Sequence, residues 1–179
     1  MKLIRTITEH DFHRQTNPDT WPSFKERLGA RAVMINENYE IALMHVSNWN
    51  YYKLPGGGID EGESIEQALR RELHEEAGVD EIEILGEIGE IDEIREEMMK
   101  KSIHYCYLVK LIGTLSAPKQ TDKEIEEGYQ IIWAKNLDEA IRLVESGKPP
   151  AYGPYFERLR ELTFLQYLKD SGLLSTVQA

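Results

Sequence analysis

Hydrophobic and polar positions along the chain follow two periods, one typical of strands and the other of helices. Short apolar or alternating runs bounded by polar turns predict strands. They lie at residues 29–35, 40–46, 53–55, 82–91 (with a break at Gly86), 102–111 and 129–134. Apolar residues spaced by three and four predict helices. They lie at residues 65–77, 136–144 and 155–169. Strands on both sides of a helix, followed by terminal helices, indicate a mixed α/β fold.

Three polar segments lack such a period. Residues 1–28 mix polar and aromatic positions and predict an N-terminal extension, either a strand with a short helix or an arm packed on a partner subunit. Residues 93–101 predict a long exposed turn or short helix, and residues 119–128 an acidic loop. No linker interrupts the pattern, so residues 1–179 are predicted to form a single domain, with residues 151–179 as its C-terminal helix.

The helix over residues 65–77 has recognisable signals at both ends. Ser64 and Gln67 have the spacing of a capping box, in which two side chains satisfy free N–H groups at a helix start. Gly78 stands where a helix commonly ends with a left-handed residue. These signals predict the helix boundaries to within one or two residues.

Three glutamates of this helix lie on one side of a helical wheel. With Glu72 at zero, Glu75 lies at roughly −60° and Glu76 at roughly +40°, while Leu69 lies near +60°. The carboxylates therefore overlap the apolar stripe, and buried carboxylates are costly unless a cation compensates them. Neighbouring arginines could supply part of that compensation. Clustered carboxylates also suit a hard divalent cation, which prefers oxygen ligands.

The surrounding residues resemble a complete Nudix box. Gly57, five residues, Glu63, seven residues and then the run from Arg71 to Val79 fill every fixed position of that motif at unbroken spacing. The motif covers about 23 of the 179 residues. The resemblance implies the Nudix-type α/β/α sandwich with a mixed β-sheet.

The resemblance also implies a reaction, the metal-dependent hydrolysis of a nucleoside diphosphate linked to another group. Mg²⁺ is the expected ion and Mn²⁺ suits the same oxygen ligands. Glu75 and Glu76 are expected to ligate the metal directly, with Glu72 as a further ligand or the group that orients water. The Gly57 carbonyl is expected to join the metal ligands, and Arg71 to hold the glutamates in place.

Residues outside the motif are weaker candidates. Four residues before the glycine loop are candidate substrate contacts: Arg31, Lys53, Trp49 and Tyr51. Related enzymes often supply a further carboxylate from a downstream loop. Glu126 is favoured over its neighbours Glu124 and Glu127 for that part. His104 is expected to be structural.

Composition narrows the class of partner. A formal charge of −11 argues against nucleic-acid polymers, which need basic binding surfaces, but allows small phosphorylated substrates. Cys106 is the only cysteine, so an intrachain disulfide is excluded. No apolar run is long enough to predict a membrane span, and a cytoplasmic location is expected. A homodimer is one arrangement that the N-terminal and C-terminal segments would permit.

The sequence leaves the substrate open. Markers of ADP-ribose, dinucleoside-polyphosphate and NADH hydrolases are missing after the motif, which favours nucleoside triphosphates or related nucleotides. ADP-ribose or nucleotide-sugar hydrolysis and a non-catalytic Nudix-like nucleotide sensor are the alternatives. A diphosphate isomerase of the same fold is disfavoured because it normally needs a further cysteine and a histidine-rich metal site.

Overall fold

The computed structural model describes residues 1–149 and 151–178. The strands are β1 (Leu3–Ile7), β2 (Lys25–Ile35), β3 (Ile41–Val46), β4 (Tyr51–Lys53), β5 (Glu81–Arg95), β6 (Lys100–Ile112) and β7 (Tyr129–Ala134). The α-helices are α1 (Ile65–Ala77), α2 (Asp122–Glu127), α3 (Leu137–Ser146), α4 (Tyr152–Ser171) and α5 (Leu173–Gln178). Short 3₁₀ helices lie at Glu9–Phe12, Pro18–Ser23 and Glu96–Met98. None of the described helices is both long enough and apolar enough to cross a membrane.

The described strands form one mixed sheet in the order β1-β5-β6-β2-β3-β4, with β7 paired to β3. β2 and β6 are parallel in unbroken register from Lys25 opposite Lys100 to Ile35 opposite Lys110. β5 and β6 form a long antiparallel pair, and β1 adds to β5 in parallel. The predicted mixed α/β fold is therefore confirmed.

Helices cover both faces of the sheet. Ala32 and Met34 on β2 point toward α1, where they pack with Leu69 and Leu73. The alternate β2 residues point the other way into a core that includes Val33 and residues of α3 and α4. This period-two alternation of a buried strand produces two apolar layers and a helix–sheet–helix sandwich.

Several boundaries differ from the sequence prediction. β2 begins at Lys25 because its pairing with β6 extends beyond the apolar run, and β4 ends before Leu54. The predicted break at Gly86 is a register shift inside a continuous strand. The N-terminal segment supplies a strand to the sheet, the first of the two arrangements considered for it.

Two polar segments are also structured differently from the prediction. Glu93 and Arg95 belong to β5 and are buried, so residues 93–101 are not simply an exposed turn or short helix. The acidic segment of residues 119–128 contains α2, capped by Thr121 through a capping box that the prediction missed. The C-terminal region forms two helices instead of one, and Pro150 and Ala179, which the prediction also covered, lie outside the described residues.

Candidate active site

The glycine loop and α1 are held by the predicted local signals. The Ser64 side chain accepts a hydrogen bond from the Gln67 backbone N–H at 3.2 Å, and Gln67 accepts one from the Ser64 backbone N–H at 2.8 Å. Gly78 ends the helix in the left-handed conformation with φ 68°. The predicted boundaries of α1 are confirmed.

Gly57 brings the loop backbone against a carboxylate of α1. Its carbonyl accepts a hydrogen bond from the Ala30 N–H at 3.0 Å, which fixes the loop along the edge of β2. A Cβ at Gly57 would collide with the Glu72 carboxylate. Burial raises the pKa of Glu72, the Arg71 hydrogen bond opposes that rise, and Glu76 adds to it. The loop therefore requires glycine at position 57. The positive charge of Arg71 does not fully offset the effects of burial and of Glu76 on Glu72.

Arg71 ties the loop to the helix. Its Nε and Nη2 atoms each donate to the Glu63 carboxylate at 2.8 Å, and Nη2 also donates to the Gly58 carbonyl at 2.9 Å. Its Nη1 donates to Glu72 at 3.0 Å and to Glu75 at 3.2 Å. The Arg71 hydrogen bonds, with help from the Asp60 backbone N–H, lower the pKa of Glu63 to about 2.

Glu76 is the most buried carboxylate of the motif, with 3% of its surface exposed. One oxygen accepts from Lys53 Nζ at 3.0 Å and the other from the Gly56 N–H at 2.9 Å. Burial alone would lower the pKa of Lys53, but the Glu76 charge outweighs it and raises that pKa. Lys53 also lies 4.3 Å from the centre of the Tyr129 ring. Glu76 is thus held in place by Lys53, a residue predicted to contact substrate.

The oxygen atoms of the glycine loop and α1 suit a hard cation, although they accept hydrogen bonds from N–H groups of the protein. Among residues 1–149 and 151–178, no three carboxylate, histidine or cysteine side chains form a ready-made cage for an ion. The Gly57 carbonyl has a second lone pair beyond its bond to Ala30. Glu72 packs directly on that glycine, and Arg71 alone joins Glu72 to Glu75. Oxygen donors on a glycine loop and one helix face therefore fit a divalent ion once Arg71 and Lys53 yield some of their hydrogen bonds.

Arg31 lies on the opposite sheet face from α1. Burial and the nearby Arg160 lower its pKa, while Glu161 and Glu76 act in the opposite direction. Its Nε and Nη1 atoms are buried and have no hydrogen-bond partner among the described residues. Such donors carry a desolvation cost, which a bound anion would relieve.

The remaining candidates are dispersed. Trp49 is 48% exposed in the turn before β4, whereas Tyr51 on β4 is buried, with Gly147 packed against its backbone. Glu126 is exposed on α2, whereas Glu127 is half-buried and contributes to the raised pKa of Tyr129. Glu127 therefore lies near Tyr129, whereas Glu126 and Trp49 lie at the surface.

A buried ionic cluster on the far sheet face was not predicted. Arg160 of α4 donates to Glu93 at 2.9 Å and to Glu161 at 2.5 Å, and its Nη1 lies 3.1 Å from His104 Nε2. Charged residues of α4 at positions 157, 160 and 161 share the helix face of Phe156 and Phe164. That spacing was the available signal, and the interleaved leucines obscured it.

Because His104 is buried, the folded protein should begin to lose stability at a pH above the range in which carboxyl groups titrate. Burial, and then Arg160, lower its pKa to about 3, against the opposing effect of Glu93. The unfolded chain takes up this proton near pH 6.5 while the folded chain does not, so stability is lost as pH falls from there toward 3. We expect a loss of about 1.4 kcal/mol per pH unit from this group alone. Urea midpoints from pH 7.5 to 4.5 measure it.

The variant His104→Gln isolates that contribution, and His10→Gln, at an exposed position, serves as the matched control. The part of the pH dependence that begins near pH 6.5 should be missing only in His104→Gln. Equal slopes in all three proteins would contradict the assignment.

Taken together, the sandwich and its carboxylate-bearing loop and helix have the arrangement that the Nudix resemblance implies. The comparison with known proteins agrees. The sequence model of the NUDIX domain matches residues 25–152.

Two relatives agree with that match, and a solved structure shares the fold. The chain is 35% identical to the RNA pyrophosphohydrolase of Campylobacter jejuni (strain 81-176) over 133 residues, 70% of this chain and 78% of that protein. It is 27% identical to diphosphoinositol polyphosphate phosphohydrolase 2 of Rattus norvegicus over 147 residues, 82% of this chain and 76% of that protein. Its fold resembles the MutT protein of Methanosarcina mazei Go1 (TM-score 0.56, 18% identity), covering 83% of this chain and 96% of that one.

The chain belongs to the Nudix hydrolase family. The α/β/α sandwich with a mixed sheet is confirmed by the structural likeness. Nudix hydrolases generally use divalent metals, which is the class of cofactor that the donor set fits.

Proposed function

We propose that this protein hydrolyses a diphosphate bond in a nucleoside diphosphate linked to another group, with a nucleoside triphosphate or related nucleotide as substrate. Water adds to one phosphorus, the bond from that phosphorus to the bridging oxygen breaks, and two phosphate products leave. The observation that carries this proposal is the packing of Glu72 against Gly57 with Glu75 and Glu76 on the same helix. The two relatives compared above are named as a pyrophosphohydrolase and a phosphohydrolase.

The residues divide the work by their contacts. The Gly57 carbonyl, Glu72, Glu75 and Glu76 would hold Mg²⁺ or Mn²⁺, which when bound neutralises phosphate charge and favours attack by water. Burial raises the pKa of Glu72, so this glutamate is the candidate to orient water and accept its proton. Lys53 and the Gly56 N–H keep Glu76 fixed from the protein side.

Other residues fit supporting parts. Arg71 holds Glu63, Glu72 and Glu75 in one arrangement, so we assign it a positioning role. The Nε and Nη1 donors of Arg31, which have no partner in the described part of the chain, suit a substrate anion. Among the downstream carboxylates, Glu126 keeps its assignment as an assisting group, with Glu127 as the alternative that lies closer to Tyr129.

A broad hydrolysis assay tests the proposal. Purified protein with Mg²⁺ is incubated with nucleoside triphosphates, ADP-ribose and nucleotide sugars, and products are separated by anion-exchange chromatography. Release of a nucleotide together with a phosphate-containing product is expected. Tight binding of a nucleotide without turnover on any of these compounds would instead support a nucleotide sensor.

A further inference from the structure

A cavity of about 690 Å³ opens beside the glycine loop, between the start of β2 and β6 on one side and residues 59–63 on the other. Gly58 lies beside the lining residue Arg27, because a Cβ at Gly58 would lie 2.7 Å from Arg27 Nη2. Gly58 directly follows Gly57, which packs on Glu72. The cavity is joined to the candidate site through its lining residue Glu63, since Arg71 binds Glu63 and also donates to Glu72 and Glu75.

One wall of the cavity is basic. Lys25 and Arg27 are two residues apart on β2 and so share a sheet face, and Lys25 pairs with Lys100 on β6. Within the described chain, none of these three has a carboxylate oxygen within the 4.0 Å of an ion pair. Burial, then Arg27 and Arg95, lower the pKa of Lys100. Like charges on neighbouring strands are destabilising, so these three cations lower the stability of the folded protein.

Within residues 1–149 and 151–178, the opposite wall offers one uncommitted carboxylate to three cations. Glu63 is already bound by Arg71 at 2.8 Å, and Asp60 lies 3.6 Å from the same guanidinium. Glu26, which also lines the cavity, lies 3.3 Å from Lys101. Only Glu61 is left without an ion pair on this side among the described residues. The chain has a net charge of −11. Three cations that face one cavity, and that form no ion pair with any residue the structure describes, therefore point to an anionic ligand.

We propose that Lys25, Arg27 and Lys100 bind a phosphate group of the substrate that lies beyond the diphosphate bond being cleaved. This inference rests on the proposed function and narrows it. The substrate is a molecule with a phosphate chain or several phosphates, such as a nucleoside triphosphate, in preference to a diphosphate joined to an uncharged sugar. Guanidinium and ammonium groups bind phosphate oxygens by charge-assisted hydrogen bonds.

The test compares Arg27→Gln, Lys100→Gln and the double variant with wild type on a nucleoside triphosphate and on ADP-ribose. KM for the triphosphate should rise at least about tenfold in each single variant, with kcat within about twofold, because the lost contacts bind substrate and transition state alike. The KM rise should shrink at high salt. KM for ADP-ribose should stay within about twofold of wild type.

Lys101→Gln is the matched control, since this neighbouring lysine lies outside the cavity lining and pairs with Glu26 and Asp92. Thermal midpoints confirm that the variants fold. An unchanged KM for the triphosphate, or an equal rise for ADP-ribose, would overturn the cavity assignment while hydrolysis itself persisted.

Direct binding separates this inference from the proposed function. Inorganic tripolyphosphate is titrated calorimetrically into wild type and into the Arg27→Gln/Lys100→Gln variant. Binding to wild type that weakens at least about tenfold in the variant supports the cavity even if no nucleotide is hydrolysed. Equal binding to both proteins overturns it. An inositol polyphosphate titrated in parallel identifies which source of phosphate groups the cavity prefers.

Discussion

Glu76→Gln is expected to lower kcat by at least about 10²-fold, the scale seen when one preorganised electrostatic contact is removed. Glutamine keeps the shape of the side chain and can still accept from the Gly56 N–H, but it carries no charge. It also leaves Lys53 buried without its partner, so the variant should lose stability as well as activity. Steady-state kinetics and urea unfolding measure the two effects separately.

The double variant Lys53→Met/Glu76→Gln distinguishes catalysis from folding. Removing both charges of a buried pair is far less destabilising than removing one, so stability should recover while turnover remains low. Glu66→Gln, at an exposed position of the same helix, should behave as wild type. Near-normal turnover in either Glu76 variant would remove this residue from the catalytic set.

Arg160→Ala is expected to cost about 3–5 kcal/mol in the free energy of unfolding. The side chain is 1% exposed and compensates both Glu93 and Glu161, which are fully buried. Its loss would leave Glu161 in the core beneath α4 without a guanidinium partner, and would leave Glu93 with Arg95 alone. This is a large share of the roughly 5–15 kcal/mol that keeps a domain folded.

Chemical denaturation monitored by circular dichroism measures this change. Arg142→Ala serves as the control, since that arginine is 66% exposed and its ion pair with Glu139 lies at the surface. The control should stay within about 1 kcal/mol of wild type. An Arg160→Ala unfolding curve that overlays wild type would show that the cluster contributes no net stability.

Local signals in the sequence predict helix α1 more accurately than they predict any other part of the fold. Ser64, Gln67 and Gly78 act within a few residues of one another, so their spacing alone gives the boundaries of α1. The pairing of β2 with β6 depends on residues about 75 positions apart, and no local pattern reports it. For the same reason the burial of Glu93 beneath Arg160 was not foreseen.

The same distinction applies to the candidate site. The helical wheel placed Glu76 on the apolar side of α1, and the structure buries it. Its partner Lys53 comes from β4, a distant segment, so no local pattern indicated this pair and Lys53 was predicted to contact substrate. The three cations of the cavity come from two strands that meet only through the β2–β6 register. Contacts between distant segments are thus what the sequence could not supply.

Metal-dependent turnover tests the central claim most directly. Wild-type protein stripped with EDTA is assayed on nucleoside triphosphate by nucleotide release, before and after Mg²⁺ is restored. We expect turnover to be abolished by stripping and recovered on addition of Mg²⁺, and expect Glu76→Gln not to recover. Turnover that persists unchanged in EDTA, or recovers equally in Glu76→Gln, would contradict the assignment of these carboxylates.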